Sequence, residues 1–432
     1  MGKKRILILG AGLAGLSAAW HLQKKGIECV IFEKEKEVGG LCRSKSINGF
    51  TFDYSGHLLH FKHKYTFNFV RNLLGDNLAQ HKRNSWVYSH NRYIPYPFQA
   101  NFHRLPSSVA KECLSGFIQA SRNSSHNGKN ANFLSWINRT FGKGIAKHFM
   151  IPYNSKFWTV SPRELTCGWL DGFIPTPSIS EISKGTIQKS KKQFGYNAQF
   201  WYPRRGGINQ LPLALASELK HIYTQCPVTE IDTSKKEIRI GSKGKEKFNY
   251  IISTIPLPEM PYLIKGLSRG TLSLFKKLKW NSIFNLNLGV EKDNSSGRHW
   301  IYFPQKDICF FRTGFFHNFS PYSASSNKFS LYAETAYSKD TIINKNNIVQ
   351  NILNDLNKVC IVKQDNGIYA RDTNDIEYGY PIYDANYNKA RNGILEYLTN
   401  RNIMPCGRYG GWQYMSMEKA LLDGKEAVGR LC

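Results

Sequence analysis

Arg5-Ile6-Leu7-Ile8-Leu9 runs into Gly10-Ala11-Gly12-Leu13-Ala14-Gly15, then into Leu16 to Lys25 with apolar residues at helical spacing, then into Cys29-Val30-Ile31-Phe32-Glu33. A short apolar run, a glycine turn, an amphipathic run and a second apolar run predict strand, turn, helix and strand. The first glycine turns the chain sharply out of the strand. The second leaves room for a pyrophosphate against the backbone, and the third lets the helix pack close to the strand. The helix start then offers unpaired N–H groups and a partial positive charge to phosphate. Glu33, about 20 residues beyond the turn, brings the acceptor oxygens that a ribose diol needs. Gly10, Gly12, Gly15 and Glu33 therefore read as a dinucleotide site. A carboxylate at Glu33 repels a 2′-phosphate, which leaves FAD or NAD and disfavours NADP.

Outward from this unit, the 432 residues are 41% hydrophobic and 13% aromatic. That is enough to bury a large core, so disordered, collagen-like and disulfide-stapled folds are excluded. At roughly 150 residues per domain the length predicts two or three domains. Lys and Arg number 59 against 31 Asp and Glu, a formal charge of +28. The excess suits an anionic partner: a phosphorylated ligand, nucleic acid or an acidic membrane surface. Because the basic residues are scattered, a Lys- and Asn-rich solvated surface accounts for it equally well. Nine cysteines with no CxxC pair and no zinc-type Cys/His spacing suit a reducing compartment. Glycines interrupt the apolar run after Lys3-Lys4-Arg5, so it reads as folded structure rather than a signal peptide. No stretch of about 20 apolar residues occurs, and the expected location is the cytoplasm.

Further along, Asn91 to Pro97 reads as a loop or sheet edge, and Ser107 to Phe149 as mostly helical. Val228 to Ile231, Glu237 to Ile240 and Tyr250 to Ile255 read as short strands. Alternating segments at Phe284 to Val290, Trp300 to Phe303, Phe310 to Phe316 and Phe329 to Thr335 predict an antiparallel sheet that ends in a Tyr378-Gly379-Tyr380-Pro381 loop. His57, His60 and His63, spaced by three in a loop-to-strand segment, do not share a face, so no metal site is expected; His60 and His63 read as polar surface. Nucleophile elbows, catalytic-cysteine signatures and P-loops are absent, which removes hydrolase and kinase readings.

Gly39-Gly40-Leu41-Cys42-Arg43-Ser44, close behind Glu33, completes a span that resembles the flavin-binding start of the large FAD family containing amine oxidases, protoporphyrinogen oxidases and UDP-galactopyranose mutases. The resemblance implies FAD, with Gly39, Gly40 and Arg43 along the cofactor. Later strings are similar to the mutases in particular: Gly49 to His57, Tyr96-Pro97-Phe98-Gln99-Ala100-Asn101, Pro152 to Trp158, Asn197 to Pro203, Phe311-Arg312, Tyr380-Pro381 and Gly407-Arg408 to Tyr414. By that resemblance Gly56 and His57 lie against the flavin, Val228 and Gly407 line the cofactor, and Arg408 neutralises its pyrophosphate. Arg312 clamps a substrate diphosphate through parallel charge-assisted hydrogen bonds, aided by Tyr380 and Tyr414. Tyr96, Gln99, Asn101, Asn154, Trp158 and Asn197 shape the nucleotide and sugar pocket. One departure stands out. Where the mutases carry a second diphosphate-binding arginine, the aligned residue is Phe173, and Arg163 and Arg204 are the nearest substitutes in sequence.

The resemblance implies a mixed α/β fold. A Rossmann-like FAD domain is split over residues 1–80, 200–265 and 395–432, with a largely helical substrate domain at 81–199 and an antiparallel-sheet domain at 266–394. The implied activity is interconversion of pyranose and furanose forms of a nucleotide-linked sugar through a flavin N5 adduct, with reduced FAD active and NADH or NADPH as possible reductants. Phe173 keeps open an FAD-dependent oxidoreductase acting on a non-nucleotide substrate. A basic nucleic-acid or partner-binding protein that retains FAD structurally is the third reading. The partner expected is a small anionic molecule, with no specific nucleic acid.

Overall fold

The computed structural model describes residues 5–431 apart from 123–131, 171–173, 190, 191, 193, 196, 242, 243, 293 and 364–366. Ile6–Leu9 is a fully buried strand, Leu13–Lys24 a helix and Cys29–Phe32 the next strand. Continuous apolar runs are what a parallel sheet covered on both faces requires, and the two strands pair in parallel from Ile6 opposite Cys29 to Leu9 opposite Phe32. Only glycine fits at position 15, because a Cβ there would lie 2.1 Å from the Gly10 carbonyl oxygen.

The sheet is completed by pieces from distant sequence. Its five strands run Ile403–Pro405, Tyr250–Ser253, Ile6–Leu9, Cys29–Phe32 and Ile222–Tyr223, with every neighbouring pair parallel. The helix Met417–Gly429 joins it by lying on Leu13–Lys24, where Ser17 Oγ donates to the Leu421 carbonyl at 2.6 Å. Early, middle and late stretches of chain thus meet in one sheet and its covering helices.

A second sheet has seven strands in the order Ile368–Pro381, Trp280–Val290, Phe329–Ser338, Arg312–Phe315, Trp300–Tyr302, Ser85–Ser89 and Arg92–Pro95. Its pairs are antiparallel except for Trp300–Tyr302 beside Ser85–Ser89, which run in parallel. The structure departs from the sequence reading in two places. Within the stretch 81–199 expected to be largely helical, residues 85–95 form the far edge of this sheet, which agrees with the edge reading of Asn91 to Pro97, and Pro95 ends the edge strand where a missing N–H breaks no ladder. Tyr378 to Pro381, read as a loop, is the end of the 14-residue strand Ile368–Pro381. Its inward positions include Asp372 and Asn374, and those polar residues erase the apolar alternation by which strands are recognised.

The central strand Trp280–Val290 is buried almost throughout. Phe284, Leu286, Leu288 and Val290 on one face pack with Ile352 and Leu356 of the helix Lys345–Lys358. The other face carries Asn281, Asn285 and Asn287 with no solvent exposure. Buried amides need partners; both polar atoms of Asn281 have them, whereas Asn285 Nδ2 and Asn287 Oδ1 find none among the described residues. Asn281 Nδ2 donates to the Phe157 carbonyl at 2.6 Å while its Oδ1 accepts from Tyr380 N–H at 2.8 Å. Asn287 Nδ2 donates to the Asp53 carbonyl at 3.0 Å. Asn281 thereby fixes the end of the helix Ile151–Trp158 against the strand that carries Tyr380. Asn281→Ala takes a donor from one buried group and an acceptor from another, so urea unfolding should show a loss of about 1–3 kcal/mol.

Candidate active site

A cavity of about 700 Å3 opens between the parallel sheet, the seven-stranded sheet and the helix Ile151–Trp158. Its lining contains Gly10, Gly12, Glu33, Gly39, Gly40, Arg43, Gly56, His57, Val228, Gly407 and Arg408. Tyr96, Gln99, Asn154, Trp158, Asn197, Arg312, Tyr380 and Tyr414 line the same space. Three residues expected at the site are not among these. Gly15 lies behind the turn and serves the helix packing expected of the third glycine. Asn101 is buried and donates to the Pro97 carbonyl at 3.0 Å, so it braces the Tyr96–Pro97 turn rather than facing the cavity. Phe173 lies outside the described residues. Arg163 and Arg204 are both exposed and outside the lining, with Arg204 Nε donating to the Asp76 carbonyl, so neither supplies the missing cation.

At the dinucleotide end, the helix Leu13–Lys24 begins with Gly12 and has no side-chain cap. Its first N–H groups are the orphan donors that an anion satisfies. Gly12 and Gly40 face each other across the floor, where a Cβ on Gly40 would come within 3.4 Å of the Gly12 Cα. Side chains at these two positions would fill the space in which a pyrophosphate must lie. Glu33 is buried, and its Oε2 and Oε1 accept from Ala11 N–H at 2.7 Å and Glu35 N–H at 2.9 Å. The carboxylate is thus locked at the cavity wall with lone pairs left over for a diol. Arg43 lies 4.4 Å over the Tyr54 ring and donates to the Gly40 carbonyl. An open helix terminus, a side-chain-free floor and a fixed acceptor fit FAD.

The far end is aromatic and carries buried charge. Arg312 stands opposite Glu334 on the neighbouring strand, and their side chains form an ion pair through Arg312 Nε. Glu334 is 1% exposed and also accepts from Ser55 Oγ, next to the Gly56-His57 segment. Arg408 lies 4.4 Å over the Tyr380 ring, 5.4 Å from the Tyr414 ring, and donates to the Gly379 carbonyl. Burial pushes the Tyr414 hydroxyl up to about 12, so it remains a donor. Gln99 Nε2 donates to the Pro175 carbonyl, while its buried Oε1 and the Trp158 Nε1 have no partner among the described residues. Arg83, which the sequence reading passed over, is buried, lies 4.6 Å over the Tyr96 ring, and holds Asn197 Oδ1. Glu334 was also missed. A lone carboxylate inside an apolar strand opposite the Arg312 strand was its only signal. His60, read as surface, lines the cavity as well. Among the described residues no group of three His, Cys, Asp or Glu is placed to hold a metal ion.

A family model for flavin-containing amine oxidoreductases matches residues 13–432. The chain belongs to that family. Members are flavin enzymes, and the cavity described above has the cradle for the cofactor. Among solved structures, a reduced UDP-galactopyranose mutase superposes with a TM-score of 0.93 at 27% identity, covering 99% of this chain and 95% of that one. Among curated sequences, protoporphyrinogen oxidase 2 of Arabidopsis thaliana is 23% identical over 282 residues, 58% of this chain and 53% of the relative. The L-amino-acid oxidase of Crotalus adamanteus is 23% identical over 257 residues, 55% of this chain and 46% of the relative. The chain therefore spans about half the length of these curated relatives. No helix among the described residues is long and apolar enough to cross a membrane.

Burial holds His57 down at about 4; the Ser55 carbonyl and Glu334 oppose the shift, while Arg408 and Arg312 add to it. The ring is neutral at physiological pH. Since the Ser55 carbonyl can only accept, Nδ1 carries the proton at 3.1 Å from it, which leaves Nε2 as an acceptor. Burial also holds His60 and His299 at about 4, and it pushes the carboxyl of Asp53 up to about 6 against hydrogen bonds from Ser44, Ile208 and Tyr202. The signs oppose. A depressed histidine destabilises the fold progressively as pH falls from about 6.5, whereas the raised carboxyl does so as pH rises from about 4 toward 6. Three histidines outweigh one carboxyl, so stability should decline from pH 6.5 toward 4. His57→Gln should flatten that decline by about 1.4 kcal/mol per pH unit, measured by urea midpoints across the window.

Proposed function

We propose that this flavoenzyme interconverts pyranose and furanose forms of a nucleotide-linked sugar. The observation that carries the reading is the superposition with UDP-galactopyranose mutase over 99% of the chain. Arg312, Tyr380 and Tyr414 share a cavity with the dinucleotide cradle, the arrangement this chemistry needs. Bound FAD, once reduced, supplies a nucleophile for the anomeric carbon, and NADH or NADPH is the proposed source of its electrons.

The chain's own residues bind, orient and exclude water. Glu334 occupies only Arg312 Nε, so the terminal guanidinium N–H groups remain for a diphosphate. Arg408, expected from the resemblance on the flavin pyrophosphate, is stacked on Tyr380, and we assign it instead as the second cation of that clamp, a role neither Arg163 nor Arg204 can fill. Tyr380 and Tyr414 add neutral hydroxyl donors. Trp158 Nε1 and Gln99 Oε1, buried without partners among the described residues, supply one donor and one acceptor to the sugar or nucleobase. His57 stays neutral and therefore does not compete with Arg312 for the anion. The aromatic wall of Tyr153, Phe157 and Trp158 excludes water from the sugar.

The test is direct. Holoenzyme reduced with dithionite under argon and mixed with UDP-galactopyranose should yield the furanose isomer, resolved by chromatography. A second reading, an oxidoreductase on a non-nucleotide substrate, draws on the protoporphyrinogen oxidase and amino-acid oxidase relatives. It gains the lead if no furanose forms and UDP fails to bind. Arg312→Ala removes charge-assisted contacts worth about 1.5–3 kcal/mol, so UDP affinity should fall about 10- to 100-fold while flavin content is retained. Unchanged affinity would remove Arg312 from the clamp.

A further inference from the structure

Lys156 follows Asn154 on the helix Ile151–Trp158 but faces away from chemistry assigned so far. Its ammonium lies within hydrogen-bond distance of four main-chain carbonyls, Phe303 and Ile308 at 2.8 Å each, Phe310 at 3.3 Å, and Gln305, which share its three N–H donors. These four oxygens belong to one turn, residues 303–310, between the strands Trp300–Tyr302 and Arg312–Phe315. Converging carbonyls without a cation would repel one another, so the turn cannot keep this shape unless a positive donor sits at its centre. No carboxylate among the described residues bonds the ammonium. Asp307 and Asp355 act on it only at a distance, as does the Cys309 thiol, and burial draws Lys156 down to about 8. On the outer side the turn is tied to the helix Lys345–Lys358, where Asp355 accepts from Cys309 N–H and Lys358 pairs with Asp307.

The rings on either side of Lys156 reach the two ends of the same turn. Tyr153 packs edge-on against Tyr302 at 5.4 Å, and Phe157 against Phe311 at 5.2 Å. Phe303 N–H donates to the Phe311 carbonyl and closes the turn just before Arg312. We infer that Lys156 is a positioning residue: its ammonium, seated in the carbonyl cage of residues 303–310, locks the helix bearing Asn154 and Trp158 to the strand bearing Arg312 and so sets the distance between the two walls of the substrate pocket.

The inference concerns ligand geometry in the site assigned above and rests on that reading for its binding readout, whereas its amide-exchange readout does not. In FAD-loaded Lys156→Ala, flavin content should be unchanged, UDP affinity should fall about tenfold or more, and amide exchange should accelerate together in 151–158 and 303–311. The truncation leaves space for n-propylammonium, which replaces the missing atoms. That ion should restore both readouts, whereas tetramethylammonium, with equal charge and no N–H, should restore neither. UDP affinity within twofold of wild type, or equal rescue by both ions, overturns the inference. If wild-type protein does not bind UDP, the sugar-nucleotide reading fails and exchange alone decides: faster exchange in both segments supports the lock, while change confined to 303–311 reduces Lys156 to a loop cap and overturns it. Should the alanine variant not fold, Lys156→Met keeps the aliphatic stem and removes only the donors, and the same exchange criterion applies to it.

Discussion

The contact between Gly15 and the carbonyl of Gly10 governs the molecule. Because no side chain intervenes there, the helix Leu13–Lys24 lies directly on the strand Ile6–Leu9 and its uncapped start opens into the cavity. From that geometry come the anion-accepting end of the cleft, the flat floor shared with Gly40, and the distance at which Glu33 can be pinned by Ala11 N–H. The late helix Met417–Gly429 seals the outer face of the same element.

The opposite end of the cavity solves a different problem, that of holding several cations in an aromatic shell. Isolated charge in such surroundings is costly, and pairing is the usual remedy. Arg312 has Glu334, Arg408 has the π faces of Tyr380 and Tyr414, Arg83 has Tyr96 with Asn197, and His57 discards its charge altogether. None of these arrangements fully consumes the positive potential of the two cavity arginines. A diphosphate can share Arg312 with Glu334, since the carboxylate touches only one edge of the guanidinium.

Much of this could be read from residues alone where local rules dominate. The glycine turn, the acid at position 33 and the alternating runs at 284–290 and 329–335 follow backbone sterics and the two-residue strand period, so they survive without tertiary knowledge. The strand Ile368–Pro381 was illegible because its inward face is polar, its Asp372 and Asn374 being satisfied by Lys45 and Asn285 from other strands. Asn101 went astray for a related reason: adjacency to Gln99 in a matched string says nothing about which side chain a 3-10 turn sends inward. Glu334 and Arg83 needed pairing register and packing across more than 100 residues of separation in the latter case, which no local pattern encodes.

The order in which the parallel sheet is laid down has a bearing on biogenesis. The strand Ile403–Pro405 docks on Tyr250–Ser253, which docks on Ile6–Leu9. A growing chain emerging from the ribosome therefore holds its glycine turn for some 390 residues of further synthesis before the sheet's outer strand and its covering helix arrive. The cavity, whose lining includes Gly407 and Arg408, is therefore complete only once that last stretch has docked.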